Sequence, residues 1–245
     1  MFRHKGKSRT LKHNLRIATL LSFVAGLVNV VGFLSVHRLT TNVTGHFAYL
    51  IDEVFQLQLW QGFVYFLFIF FFFLGSFCSN LLVEWLNRNQ KKFIFTFPVL
   101  IESLILSAVA VLGHYFIPAH SDWVAFALLF AMGMQNSLVT TISNSVVRTT
   151  HLTGLFTDLG IEMSQLFFYK EASQRRRLIS SIELRLSIIS FFFLGGIIGG
   201  VFYTHYNLHT LLIASIILLT AVFYDYVKLR VMVLKRNKRT AHHEV

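Results

Sequence analysis

Six stretches of this chain, at about 15–36, 59–86, 93–116, 123–147, 185–204 and 209–229, are apolar over the length a helix needs to cross a bilayer. A hydrocarbon core about 30 Å thick takes roughly 20 residues of helix. Six such runs in 245 residues predict an all-α integral membrane protein. Charged residues make up only 13% of the chain, about half the usual share of a soluble domain, which excludes a soluble enzyme. The first run follows a basic segment, but it is too long for a signal-peptide core and lacks a small-x-small cleavage site, so it is expected to stay in the protein.

The net charge of +11 is spread in blocks between and beyond these runs, not along a nucleic-acid-binding face. Arg3, Lys5, Lys7, Arg9, Lys12 and Arg16 crowd one end, and Lys228, Arg230, Lys235, Arg236, Lys238 and Arg239 the other. Arg88, Lys91 and Lys92 mark the 87–92 turn, and Lys170, Arg175, Arg176, Arg177 and Arg185 mark 169–185. By contrast 117–122 carries Asp122 and no Lys or Arg, and 205–208 no charge beyond what His205 takes up. Basic loops stay on the cytoplasmic side. The division expected is therefore a basic cytoplasmic tail at 1–13, a first membrane unit at 14–116, an external loop at 117–122, a second membrane unit at 123–230 containing a basic cytoplasmic linker at 169–185, and a basic cytoplasmic tail at 231–245. The basic flanks also suit anionic lipid head groups, so the bilayer is the partner expected and nucleic acid is not.

The two membrane units resemble each other. Thr40-Thr41-Asn42-Val43-Thr44-Gly45 matches Thr149-Thr150-His151-Leu152-Thr153-Gly154, an offset of 109. Upstream, Gly26-Leu27-Val28-Asn29 matches Gly133-Met134-Gln135-Asn136 at 107, and downstream Phe71-Phe72-Phe73-Leu74-Gly75 recurs as Phe191-Phe192-Phe193-Leu194-Gly195 at 120. Each copy holds three runs, and an odd number turns the second copy over in the membrane. Inverted repeats of this kind belong to secondary transporters, whose sites form from interrupted helices where the repeats meet. The alternative is that the repeat records duplication and packing alone. Gly75 with Ser79, and Gly195-Gly196 with Gly199-Gly200, read as faces for close helix packing across that interface.

Residues 37–57 and 148–169 are too polar for lipid and too apolar for ordinary loops. Phe47, Leu50, Ile51 and Val54, and likewise Leu155, Leu159 and Met163, recur at helical spacing. Each segment is expected to be a short broken or re-entrant helix after the first span of its unit, with Thr as its N-cap and its N-terminus offered to an anionic group. The candidate substrate-binding residues are Asn29, Thr40, Thr41, Thr44 and Gly45 in the first unit and Asn136, Thr149, Thr150, Thr153 and Gly154 in the second. Acidic residues in or beside hydrocarbon are costly, which makes Glu53, Glu102, Asp158 and Glu162 candidates for proton or ion coupling. The plainer reading pairs Glu53 and Glu162 with Arg38 or Arg148 as structure. His46 and His151 could titrate near neutral pH. His114, His120, His205 and His209 gather near the external turns without metal-ligand spacing. No cofactor is expected. Cys78 is the lone cysteine, so no intrachain disulfide forms.

The run Ala25-Gly26-x-x-Asn29-x-x-Gly32-Phe33-Leu34, then Thr44-Gly45, Gly133-Met134-Gln135-Asn136 and Arg148-Thr149-Thr150-His151-Leu152-Thr153-Gly154-x-x-Thr157-Asp158-Leu159-Gly160, resembles the YoaK family of bacterial six-span membrane proteins, also catalogued as a domain of unknown function. The resemblance covers about 15–230 and implies an inner-membrane location, but no substrate. This chain departs from the family in Asn29, where an Asp is usual, and in His46, where an Asn is usual, so a role needing a carboxylate at the first position is not implied here. The function expected is a secondary transporter or permease for a small polar or anionic solute, able to form a homo-oligomer. A non-transporting membrane scaffold is the alternative, and no catalytic motif supports an enzyme.

Overall fold

The structure, a computed structural model, describes residues 10–89 and 94–241, with the backbone alone at 229 and 232–241. The first nine residues of the basic tail, Lys91 and Lys92 of the 87–92 turn, and 242–245 lie outside the described residues. Among the described residues the chain is all-helical: α1 (Leu11–Val36), α2 (Val43–Phe55), α3 (Leu59–Arg88), α4 (Thr96–Ser143), α5 (Leu152–Phe168), α6 (Ala172–Tyr206), a 3-10 turn (Asn207–Thr210) and α7 (Leu211–Ala241). Four stretches are long and apolar enough to cross a membrane, namely α1, α3, α4 and the run 172–228.

The last two are interrupted. A straight helix of 48 residues would measure about 72 Å, more than twice a hydrocarbon core. Pro118 has no N–H to give, and His120 leaves helical geometry at φ −147°, ψ 56°, so α4 bends there. Gly113 then lies beside Val124, and Gln135 reaches Glu102, which makes the two arms of α4 antiparallel neighbours. The 3-10 turn similarly separates α6 from α7.

Two expectations change. Residues 117–122 are not an open loop, because helix continues to Pro118 and the second arm begins directly after His120. Nor is 169–185 a linker: only Tyr169–Glu171 separate α5 from α6, and the basic residues form the first turns of α6. The sequence Ser-Gln-Arg-Arg-Arg-Leu-Ile-Ser-Ser-Ile-Glu-Leu-Arg from Ser173 has no Gly or Pro and is rich in helix formers, so nothing stops the helix short.

α1 lies at the centre, with Ile17, Leu21, Val24, Leu27, Val28 and Val31 fully buried. α3 shows the opposite face of the same chemistry, exposing Phe63, Phe66, Phe70, Phe73 and Phe77 along one side. The most extensive packing joins α1 to α6 and α3 to α4. In both pairs glycine lets backbone meet backbone. A Cβ at Gly26 would strike the Phe192 carbonyl and one at Gly195 the Phe23 carbonyl; in the other pair Gly133 meets the Phe72 carbonyl and Gly75 that of Phe130. Contacts advance together along each pair: Phe23 with Gly195 and Leu27 with Gly199, then Phe71 with Phe126 and Asn80 with Thr141. α1 and α6 are therefore parallel, as are α3 and the second arm of α4. Between the first arm of α4 and α7, Ser103 and Ser215 each donate a hydroxyl to the other's carbonyl, at 3.2 and 3.0 Å.

Candidate functional site

Between α1 and α2, and again between α4 and α5, the chain leaves the helix for a few residues. His37 and Asn144 end α1 and α4 in left-handed backbone, at φ 53° and 56°. Thr40 and Thr149 follow, both with no exposed surface and both with a side-chain hydroxyl lacking a partner. The Thr40 methyl presses on Gly32, where a Cβ would come within 2.5 Å of it. Thr41 donates to Asn29 Oδ1 at 2.8 Å, tying the segment back to α1. Among the described residues no such bond links Thr150 to Asn136, although both are half-buried at matching positions. Thr44 and Thr153 are exposed, in the first turns of α2 and α5.

The helix caps differ from the expectation of Thr. Asn42 caps α2 by accepting the Gly45 N–H at 3.0 Å, since its short amide reaches the third residue on. His151 stands at the same place before α5 and makes no side-chain cap; its ring lies where a Cβ at Gly154 would be. The two N-termini are thus unequal: α2 is capped by its own asparagine, whereas α5 has no side-chain cap and the His151 ring packs against its first turn.

The carboxylates separate into distinct settings. Arg185 on α6 meets Asp158 at 2.9 Å and Glu162 at 2.8 Å, and Ser181 donates to Glu162 at 2.7 Å. The partner of Glu162 is therefore not Arg148, which lies in the break before the N-terminus of α5. Burial raises the Glu162 carboxyl, but the hydrogen bonds from Arg185 and Ser181 and the arginine charge outweigh it and hold it below the usual range. At the repeat offset of 120, the residue matching Arg185 is Tyr65, so half-buried Glu53 finds no arginine there. Arg38 donates to Tyr65 Oη at 3.2 Å, lies over the Tyr65 and Phe68 rings, and reaches 4.0 Å from Asp122, so it too is not the partner of Glu53. Glu102 is fully buried and accepts from Gln135 Nε2 at 2.9 Å.

His46 is buried against Phe68 and Tyr65, its Nε2 donating to the Leu39 carbonyl at 2.6 Å. Burial lowers its pKa; that bond opposes the shift and the nearby Arg38 charge adds to it. His151 is exposed. Among the described residues no group of three or more His, Cys, Asp or Glu is placed to hold a metal, although His114 and His209 have ring centres 6.2 Å apart. Two grooves, of about 530 Å³ between α4 and α7 and about 230 Å³ between the arms of α4, are lined mainly by apolar side chains and contain none of the candidate residues.

The sequence reading named Arg38 only as a partner for Glu53 or Glu162, and it missed Tyr65, Gln135 and the Ser103–Ser107–Ser215 cluster as members of polar centres. Gln135 lay inside a repeated motif, which was the signal available. The serines carry no signal, because only the crossing of α4 and α7 brings them together.

Long apolar helices, joined by glycine and enclosing polar groups that helical backbone alone does not explain, define an all-helical membrane protein of several passes. The chain belongs to the family described as proteins of unknown function (DUF1275), whose model matches residues 17–224, and the resemblance read from its motifs holds. It is similar to the UPF0700 transmembrane protein YoaK of Bacillus subtilis (strain 168), at 26% identity over 188 residues covering 74% of this chain and 80% of that protein. No solved structure matches it.

Proposed function

We propose that the protein is a secondary transporter or permease for a small polar or anionic solute, built from six spans in two inverted three-span repeats. It lies in the inner membrane with both termini cytoplasmic and performs no enzymatic chemistry. The observation that carries this reading is the pair of helix breaks at 37–42 and 144–151, each burying a threonine hydroxyl without a partner. Irregular backbone at membrane depth is tolerated where it lines a cavity or is covered by protein, and transporter sites form at such breaks. A buried hydroxyl without a partner costs about 1–3 kcal/mol, which a solute's polar groups can recover.

The packing supports the repeat. Gly26 on Phe192 maps by the offsets 107 and 120 onto Gly133 on Phe72, and Gly195 on Phe23 onto Gly75 on Phe130. The first span of each unit is thereby locked to the second span of the other, giving two rigid pairs of opposite direction. Rocking one such pair against the other opens a central site to each side in turn. The scaffold alternative accounts for the glycines but not for Thr40 and Thr149.

The test is a screen of small polar and anionic solutes by thermal shift on purified protein, followed by uptake into liposomes. A solute that raises the melting temperature, and whose uptake falls in Thr40→Val and Thr149→Val variants, is the expected result. Uptake that is indifferent to both substitutions would remove the site, and no uptake of any stabilising solute would favour the scaffold.

A further inference from the structure

Glu102 sits one-quarter of the way along the first arm of α4, with no exposed surface and no ion pair among the described residues. One carboxyl oxygen accepts the Gln135 amide N–H at 2.9 Å; the other has no donor. The Gln135 carbonyl oxygen, equally buried, has none either. Two acceptors therefore lie unfilled on a carboxyl and an amide already joined through their other edges. A carboxylate in this place would be an uncompensated charge in hydrocarbon, costly on any scale. A carboxylic acid is a donor as well as an acceptor, and its O–H supplies what the Gln135 carbonyl lacks.

We propose that Glu102 and Gln135 form an occluded proton-binding site whose occupancy sets the balance between the two access states. The proton binds the free carboxyl oxygen from water on one side and returns to water on the other once the arms of α4 part. The proposal rests on the transport reading, because the two arms belong to different proposed repeats and the bond crosses their interface. It names the coupling ion of that site as H⁺.

The groups on the helices packed against α4 offer no countercharge. Lys12, His13 and Arg16 on α1, Glu84 and Arg88 on α3, Asp225, Lys228 and Arg230 on α7 and His209 in the 3-10 turn are the charged or titratable groups there, and among the described residues none of them pairs with Glu102. Glu84 and Asp225 have partners of their own. On α3, Tyr65 is engaged by Arg38. The next residue along α4, Ser103, spends its hydroxyl on Ser215.

Dicyclohexylcarbodiimide attacks protonated carboxyls in apolar surroundings, so it reports the state of Glu102 directly. The full chain in detergent is treated from about pH 6 to about pH 9, and adducts are mapped by mass spectrometry. An adduct at Glu102 is expected, falling about tenfold per pH unit above the titration point and absent in Glu102→Gln. That variant should keep its melting temperature, since an amide replaces a neutral acid of the same shape. Absence of the adduct from folded wild-type protein at every pH would overturn the proposal.

Control of the access balance is read without any substrate. Single cysteines at Thr44 and at Thr153, in a Cys78→Ala background, report the outer and inner sides, and each alkylation rate is divided by that of the same cysteine with Glu102→Gln added, which cancels the thiol's own pH dependence. These ratios should change with pH in opposite senses at the two positions; ratios that stay flat at both overturn the coupling. If a transported solute is found and Glu102→Gln leaves its pH profile intact, this inference fails while the transport reading stands. Adduct formation together with ratios that change with pH in opposite senses supports the inference even if the solute screen finds nothing.

Discussion

Arg185 holds two acidic residues of α5 from the facing turn of α6, and this geometry fixes what their removal should do. Because the Glu162 carboxyl is held below its ordinary value of 4.5, its stabilisation is present in full above that value and is lost as pH falls through the lowered one. Glu162→Gln leaves Arg185 with Asp158 alone and should cost about 1.5–3 kcal/mol at neutral pH. The melting curves of variant and parent should converge in acid; equal melting temperatures at neutral pH would mean that the pair is not a structural tie. His46 works through burial. Its pKa is lowered from 6.5, so the unfolded chain takes up a proton before the folded protein does, and stability falls as pH drops below about 6.5 toward the lowered value. His46→Gln keeps a donor for the Leu39 carbonyl without the titration. Its melting temperature should be flat across that window, whereas the parent's declines; an unchanged decline would place the acid sensitivity elsewhere.

At the scale of elements, glycine decides which helices touch. Gly26, Gly75, Gly133 and Gly195 each face a carbonyl of the partner helix, and backbone cannot move aside as a side chain can. Alanine at any of the four should lower stability by about 1–3 kcal/mol. Gly160 on α5 is the control, with nothing within 4 Å of a Cβ, and Gly160→Ala should gain about 0.5–1 kcal/mol from helix propensity. If all five substitutions behaved alike in thermal melts, the close approach would carry no weight. Much of this architecture could be read from the sequence. The apolar runs located the long helices, and the helical spacing after Gly45 and Gly154 located α2 and α5, because lipid and helix each impose a strong periodic demand. The turn at 117–122 and the start of α6 were misread because polar or basic composition says that a segment meets water, not that its helix has ended. The candidate site was legible in part. Repetition marked Thr40 and Thr149, whose burial then set them apart from exposed Thr44 and Thr153. The partnerships Glu162–Arg185 and Glu102–Gln135 were not visible, because they depend on which faces of two helices meet, and spacing within one helix does not report that.

For the whole molecule, direction and access are linked. α1 runs parallel to α6, and α3 parallel to the second arm of α4, which is the arrangement that the proposed six-span frame with both termini on one side calls for. Reporter fusions should therefore place both ends, and the basic start of α6, in the cytoplasm, with the bend at Pro118 outside. Either terminus found outside would break the relation between the repeats. Given that frame, Thr44 and Thr153 lie on opposite sides of the protein, each in the first turn after a helix break, and the breaks are not in the same condition. Thr41 is bonded to Asn29 in the first, while the second lacks the matching bond. Under alternating access a bonded break is a closed side and an unbonded break an open one. A cysteine at Thr153 in a Cys78→Ala background should thus react faster with a small water-soluble thiol reagent than one at Thr44. Asn29→Ala, which removes the acceptor for Thr41, should raise reactivity at Thr44 and lower it at Thr153. The opposite sense of these two changes is the decisive feature, because simple loosening would raise both. Rates moving together would leave the repeat as packing, and two positions inert under every condition would deny water access to either break.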